Sequence, residues 1–276
     1  FAATCATIIS GAVAERTNIT AYMVIIVIMT AFIYPVVGHW IWQGSGWLTD
    51  LGFVDFAGST VVHLTGAVAA LVAAAMIGPR IGKYTGKVVN VIPGHSIPLG
   101  ALGVFILWLG WFGFNGASTL AADPSLVPSV IANTFLAASA GVVGTAIYTK
   151  IRFGYMDGSL TLNGALAGLV SITAGAANLN FVGALAAGLV ASVILVEGVR
   201  FIEHKLKVDD AKEKKTNQKQ KEENKEHKKE QKVKKLITQE DKISKQFKES
   251  RRASKESKFT QKYKDRIESI KNSKKD

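Results

Sequence analysis

The chain has 276 residues, 48% of them apolar, with 33 Lys and Arg against 21 Asp and Glu and a formal charge of +12. A single cysteine, Cys5, excludes an intramolecular disulfide, and no metal-ligand spacing, nucleophile motif or phosphate loop supports an enzyme, a metal centre or a bound cofactor. The charge is lopsided: residues 1–210 carry nine basic and nine acidic side chains, whereas residues 211–276 carry 24 and 12, so the basic character belongs to the tail.

Seven apolar segments follow one another at about 1–14, 19–38, 58–77, 98–116, 129–149, 160–175 and 181–201, most of them near the ~20 residues that cross a bilayer. The first opens at Phe1, without Met and with the apolar run already under way, which reads as a cut N-terminus. The links alternate in charge. Arg16 follows the first segment, Arg80, Lys83 and Lys87 the third, Lys150 and Arg152 the fifth, and Arg200, Lys205 and Lys207 the last, while the other links hold no Lys or Arg. This positive-inside pattern places the basic links and the tail in the cytoplasm and the links 39–57, 117–128 and 176–180 outside; buried helices of a soluble protein would not give it. Small residues are dense, as in Gly164-Ala-Leu-Ala-Gly168, Gly141 to Gly144 and Gly183 to Gly188, and they let helix backbones approach closely in lipid. The sequence thus predicts an all-α integral membrane protein of seven spans over 1–210, followed by a Lys/Glu-rich tail over 211–276 that is disordered or helical.

His63 lies inside the third segment, where an ionisable side chain usually faces a pathway or a partner rather than lipid. Asp55 stands at the outer start of that segment, placed to cap a helix, and His63 is eight residues on, about 12 Å along a helix. A neutral imidazole there offers one ring nitrogen as donor and the other as acceptor, in a working site or as a satisfied core group. Aromatics gather at the same outer face: Trp40, Trp42 and Trp47 after the second segment, Trp111, Phe112 and Phe114 with Ser118 closing the fourth, and Phe1 opening the first. They can be an interfacial belt or a cation site, since ring faces attract small cations and a hydroxyl accepts a hydrogen bond from them.

Asp55-Phe-Ala-Gly-Ser-Thr-Val-Val-His63 running to Gly78-Pro-Arg80, Gly110-Trp-Phe-Gly-Phe-Asn-Gly-Ala-Ser118 and Gly11-Ala-Val-Ala-Glu-Arg16 together resemble the ammonium transporter family (Amt, Mep and Rh proteins), its bacterial Amt members most closely. The resemblance covers roughly 1–210. It implies an eleven-helix fold assembled as a homotrimer with a pore in each subunit, of which the seven segments would be spans three to nine. It also implies roles: Phe1 and Phe114 as stacked gate phenylalanines, Trp42 and Ser118 as an external ammonium recruitment site with Asp55 beside it, Trp111 as a pore-lining ring, and His63 as the first of two pore histidines. Ammonium, or methylammonium in its place, would be held outside and deprotonated, and ammonia would pass an apolar lumen. The neutral-gas transport of Rh proteins is the near alternative, though the Asp-Phe-Ala-Gly and Gly-Trp-Phe-Gly-Phe-Asn runs favour the Amt branch.

After Val208-Asp-Asp210 the family continues into a span with a Val-His-Gly motif, the second pore histidine, whereas Ala211-Lys-Glu-Lys-Lys begins here. His39 and His95 lie in links, and His204 and His227 lie beside charges. The resemblance therefore implies a chain truncated at both ends that alone does not conduct ammonium. The tail can be a solvated segment, or a polybasic one that contacts anionic lipid at about 1 kcal/mol per basic residue near the surface. Nucleic acid is the weaker partner, since Lys alternates with Glu and the only tail aromatics are Phe247, Phe259 and Tyr263. A second class of function follows from the tail: a membrane-anchored interaction protein that contacts anionic lipid or a regulator.

Overall fold

The computed structural model describes residues 1–14, 16–85, 88–92, 94–209 and 260–269. The chain divides into two units, Phe1–Lys214 and Lys215–Asp276. Residues 260–269 of the second form an exposed helix, and the rest of the tail expectations fall outside the described residues.

Each of the seven predicted apolar segments is helical. In order they are α1 (Ala2–Val13), α2 (Ile19–Ile28) running through a π-helical turn (Met29–Ile33) into α3 (Tyr34–Trp42) and short α4 (Trp47–Asp50), then a π-helical turn (Ser59–Leu64) leading into α5 (Thr65–Ile77). They are followed by α6 (Ile97–Gly116), α7 (Val127–Phe153), α8 (Gly158–Thr173) and α9 (Phe181–Phe201). Five of these helical stretches are long and apolar enough to cross a membrane, and Ala2–Val13 and Gly158–Thr173 are shorter apolar helices. The starts are set by side-chain caps: Asn18 accepts from the Ala21 N–H (2.7 Å), Asp157 from Leu160 (2.8 Å) and Asn180 from Gly183 (2.8 Å).

Three features differ from expectation. The second segment runs on to Trp42, so His39, Trp40 and Trp42 sit in helix rather than in a link. It passes Pro35, whose ring has no N–H to give, directly after the π-helical turn has loosened the hydrogen-bond ladder. The third segment becomes helical at Ser59, within a residue of the expected start at 58, with Asp55 outside the helix, so His63 is four residues into the helix and not about 12 Å along it. The link after α5 folds into a small antiparallel pair, Tyr84–Thr85 with Val88–Val89, which the sequence reading did not contain.

The interior is built on close backbone approach. A Cβ on Gly168 or on Gly188 would meet the carbonyl oxygen of Ala137, and one on Gly141 would meet that of Gly164, so α7, α8 and α9 touch main chain to main chain. Around them Val130, Ala137, Ile172, Ala176 and Ala184 form one buried cluster, while Cys5, Ile9, Val13, Met29, Val62 and Ala70 form another where α1 meets α5. Cys5 is thus a small packing residue.

The basic ends of α1, α5 and α9 meet in a buried clasp. Arg80 grips Asp209 by Nε to Oδ2 (2.7 Å), Nη2 to Oδ1 (2.8 Å) and its backbone N–H to Oδ2 (2.9 Å). Arg16 donates to the carbonyls of Ala12 and Asp209 (both 2.7 Å) and of Gly78, and Lys83 pairs with Glu203 (2.7 Å). Burial alone pushes the Asp209 carboxyl up, but hydrogen bonds from the Arg80 side chain and backbone and the charges of Arg80 and Lys83 outweigh it and hold the group below the usual carboxylate range.

The folded pKa of Asp209 is depressed, so its stabilising effect is complete above the ordinary carboxylate pKa and lost as pH falls through the lower folded value. The thermal midpoint of the purified protein is expected to fall in that acid window and to fall less in Asp209→Asn, which should start lower because a broken buried pair costs about 3–5 kcal/mol. Gly168→Ala is expected to destabilise by about 1–3 kcal/mol through overpacking, whereas Gly103→Ala, where a Cβ meets nothing, should be neutral or slightly stabilising; chemical denaturation in detergent measures both.

Candidate functional site

Asp55 organises the approach to His63. Its carboxylate is 5% exposed and takes four backbone N–H groups: Oδ1 accepts from Gly58 (2.8 Å) and Ser59 (2.9 Å), Oδ2 from Thr60 (2.7 Å) and Val61 (3.0 Å). These are the donors that a helix start leaves free, and the negative charge sits at the positive end of the helix dipole. The capping role read from the sequence is therefore present in full. Gly58 makes the turn at φ +106°; a Cβ there would lie 2.6 Å from Val62 Cγ2 and 3.4 Å from the Trp42 ring.

Ser59–Leu64 then winds as a π-helical turn, with the His63 N–H bonded to the Gly58 carbonyl at 3.0 Å. The His63 ring is 8% exposed. It stacks on Trp111 with centroids 4.9 Å apart and planes 15° from parallel, and lies 5.8 Å from Phe114. Its Nε2 is enclosed and has no hydrogen-bond partner among the described residues. Phe114 meets Phe1 edge to face at 4.5 Å, and Phe1 lies 5.6 Å from Trp42. The rings of Trp42, Phe1, Phe114 and the His63–Trp111 stack thus form a continuous column. It leads from half-exposed Phe1 and Trp42 to buried His63.

Ser118 and Asp55 join this column through the main chain. The Ser118 hydroxyl donates to the Phe114 carbonyl (2.7 Å), and the Trp42 Nε1–H donates to the Asp55 carbonyl (2.5 Å). Asp55 holds its carboxylate toward the helix start, and Ser118 holds its hydroxyl toward α6. The structure therefore brings all seven sequence-named residues to one end of α1, α3, α5 and α6, with five rings in direct succession.

Sequence reasoning missed the support behind the rings. The Trp111 indole N–H donates to Thr173 Oγ1 (2.8 Å), whose hydroxyl donates to the Leu169 carbonyl (2.6 Å). Ser59 Oγ donates to the Val170 carbonyl (2.6 Å) and accepts from the Ala174 N–H (2.7 Å). Phe56 and Ala57 donate to the carbonyls of Ala174 and Thr173 (2.9 and 3.1 Å). A threonine and a serine in apolar segments carry no signal of such contacts. An apolar groove of about 950 Å³ runs between α2 and α5, past Ile25, Met29, Val68 and Met76; none of the seven named residues is among those lining it.

Chemically, the column offers ring faces that attract a small cation at its open end, and an imidazole nitrogen with one unmade hydrogen bond at its closed end. Among the described residues no three His, Cys, Asp or Glu converge as a metal would require.

The model of the Ammonium Transporter Family matches residues 1–213. The chain belongs to the ammonium transporter family. Ammonium transporter Amt2 of Archaeoglobus fulgidus is 44% identical over 221 residues, covering 76% of this chain and 47% of that protein, and a putative ammonium transporter of Synechocystis is 44% identical over 216 residues, covering 76% and 48%. Among solved structures, a "Sensor Amt Protein" superposes with a TM-score of 0.73 at 42% identity, covering 76% of this chain and 53% of that one, and Mep2 of Candida albicans with 0.69 at 32% identity, covering 76% and 46%. The chain spans about half the length of the curated relatives it matches. Ammonium transporter family members are membrane transporters rather than enzymes, and the apolar helices described above make this a multi-pass membrane protein.

Removing the Asp55 carboxylate leaves four backbone donors without an acceptor. Asp55→Ala is expected to cost roughly 2 kcal/mol, the upper end for a helix cap, in denaturant unfolding, and to change Trp111 fluorescence as the His63 stack loosens. A melt and an emission spectrum indistinguishable from the wild type would refute the capping role.

Proposed function

We propose that residues 1–210 supply the outer entrance and the first stretch of a pathway that carries ammonium or ammonia across the cell membrane. The observation that carries this reading is the ring column ending on the enclosed, unpartnered Nε2 of His63. Phe1 and Trp42, with Ser118 nearby just beyond the end of α6, hold the cation at the entrance by cation–π attraction, at about 0.5–2 kcal/mol per ring depending on desolvation. Asp55 contributes by fixing the loop that carries Trp42's partner carbonyl and the helix that carries His63. Passage of a bare ion beyond Phe114 is costly in apolar surroundings, so the ion gives its proton to the free nitrogen of His63, which relays it onward, and the ammonia that remains continues past Trp111 through the apolar stretch.

In this reading the two shorter helices α1 and α8 are also spans. The seven correspond to spans three to nine of an eleven-helix fold, subunits associate as a homotrimer, and the basic clasp and the tail from about Asp210 face the cytoplasm, where the tail contacts anionic lipid. The positive-inside charge pattern and the half-length match to the relatives support this placement.

A hybrid tests the reading directly. Residues 1–209 are placed in the Archaeoglobus fulgidus transporter in exchange for its matching part, and methylammonium uptake into proteoliposomes is measured. Uptake is expected in the hybrid and is expected to fall at least tenfold with His63→Ala; uptake unchanged by that substitution would overturn the role given to the column.

A further inference from the structure

We infer that Thr173 is a positioning residue for the pore: its side-chain hydroxyl sets the orientation of the Trp111 ring against His63. The inference rests on the transport reading above and goes beyond it, because Thr173 touches neither the entrance nor His63 in the contacts described.

Three observations carry it. The indole N–H of Trp111 reaches one acceptor, Thr173 Oγ1, at 2.8 Å. Thr173 is fully buried, and Trp111 is 8% exposed, so the bond is shielded from bulk water and an indole without it would hold a buried, unsatisfied donor. The threonine hydroxyl is itself oriented, because its proton is committed to the Leu169 carbonyl at 2.6 Å, leaving its lone pairs toward the indole. The ring is therefore held from behind by a directional acceptor while its face lies 4.9 Å from the His63 ring and 15° from parallel.

The other half of the stack is held by the same piece of chain. The Ala57 N–H donates to the Thr173 carbonyl (3.1 Å) and the Phe56 N–H to the Ala174 carbonyl (2.9 Å). Ser59 clasps Val170 and Ala174 (2.6 and 2.7 Å) one residue beyond the Gly58 turn that starts the His63 helix. The last turn of α8 thus fixes the loop that delivers His63 by its backbone and the ring that faces His63 by one hydroxyl. These backbone bonds do not use the side chain at 173, so an isosteric substitution removes the hydroxyl alone. Threonine to valine keeps the shape and deletes the acceptor; threonine to serine keeps the acceptor and deletes a methyl.

The test uses the full chain, labelled with 5-fluorotryptophan and reconstituted in lipid nanodiscs, with ¹⁹F spectra recorded during methylammonium titration. Trp111→Phe assigns the Trp111 signal, and the Trp40 and Trp47 signals, from a ring pair 6.0 Å apart elsewhere, report whether each variant is folded. Thr173→Val is expected to move and broaden the Trp111 signal while Trp40 and Trp47 stay in place, and to raise the methylammonium concentration at half-change roughly five- to tenfold, the size of one net hydrogen bond; Thr173→Ser is expected to restore both. A Trp111 signal that Thr173→Val leaves in place, or that Thr173→Ser moves equally, overturns the inference. A signal that responds to Thr173→Val and recovers in Thr173→Ser, but that methylammonium moves in no variant, upholds the positioning role and sinks the transport reading instead.

Discussion

The site depends on one carboxylate taking four backbone N–H groups. A helix that starts within an apolar surrounding leaves its first donors without partners, and each such donor costs free energy comparable to a lost hydrogen bond. Asp55 takes those of residues 58 to 61 on two oxygens, which lets the helix begin beside the aromatic cluster rather than at a wet surface. That start in turn decides where His63 stands. With the turn at Gly58 fixed, His63 falls opposite Trp111 and behind Phe114, so the place of its ring rests on an electrostatic bond made elsewhere in the loop.

A second constraint acts at the far end of the bundle, and it is of a different kind. Arg80 and Asp209 are both buried and joined by three hydrogen bonds. A pair of this sort adds little net stability over an apolar pair of the same volume, but it tolerates no shift in register, because moving either helix would strand a charge. The ring end of the bundle is thus ordered by a cap and by ring packing, and the basic end by ion pairing.

Much of this was legible in the sequence, and the reasons differ by element. Segment positions came from apolar length, and close helix packing from the glycine spacing in 141–144 and 164–168, because both follow from local composition. Asp55 was legible as a cap from its place before the apolar run. The ring column was legible only as a set of aromatics at one face; their succession depends on how α1, α3 and α6 pack, which no local pattern encodes. His63 was set too deep because its depth was counted along a helix from Asp55, whereas the carboxylate stays outside the helix it caps. Tyr84–Thr85 and Val88–Val89 were too short to register as strands. Thr173 was invisible, since its meaning comes from a tryptophan 62 residues away.

The π-helical turn at Ser59–Leu64 has a bearing on how such a chain can change length over evolutionary time. A π-helical turn holds one residue more than an α-helical turn would over the same axial rise. In a regular helix one added residue would rotate everything behind it by about 100° at 3.6 residues per turn; the wide turn takes that residue up within itself, so His63 faces Trp111 while α5 keeps its buried Gly66, Ala70 and Ala74 turned to their neighbours. Losing one residue between Gly58 and Thr65 would let the turn close to an ordinary α-helical one at little cost to α5, and the change would fall on the residues inside the turn, His63 among them.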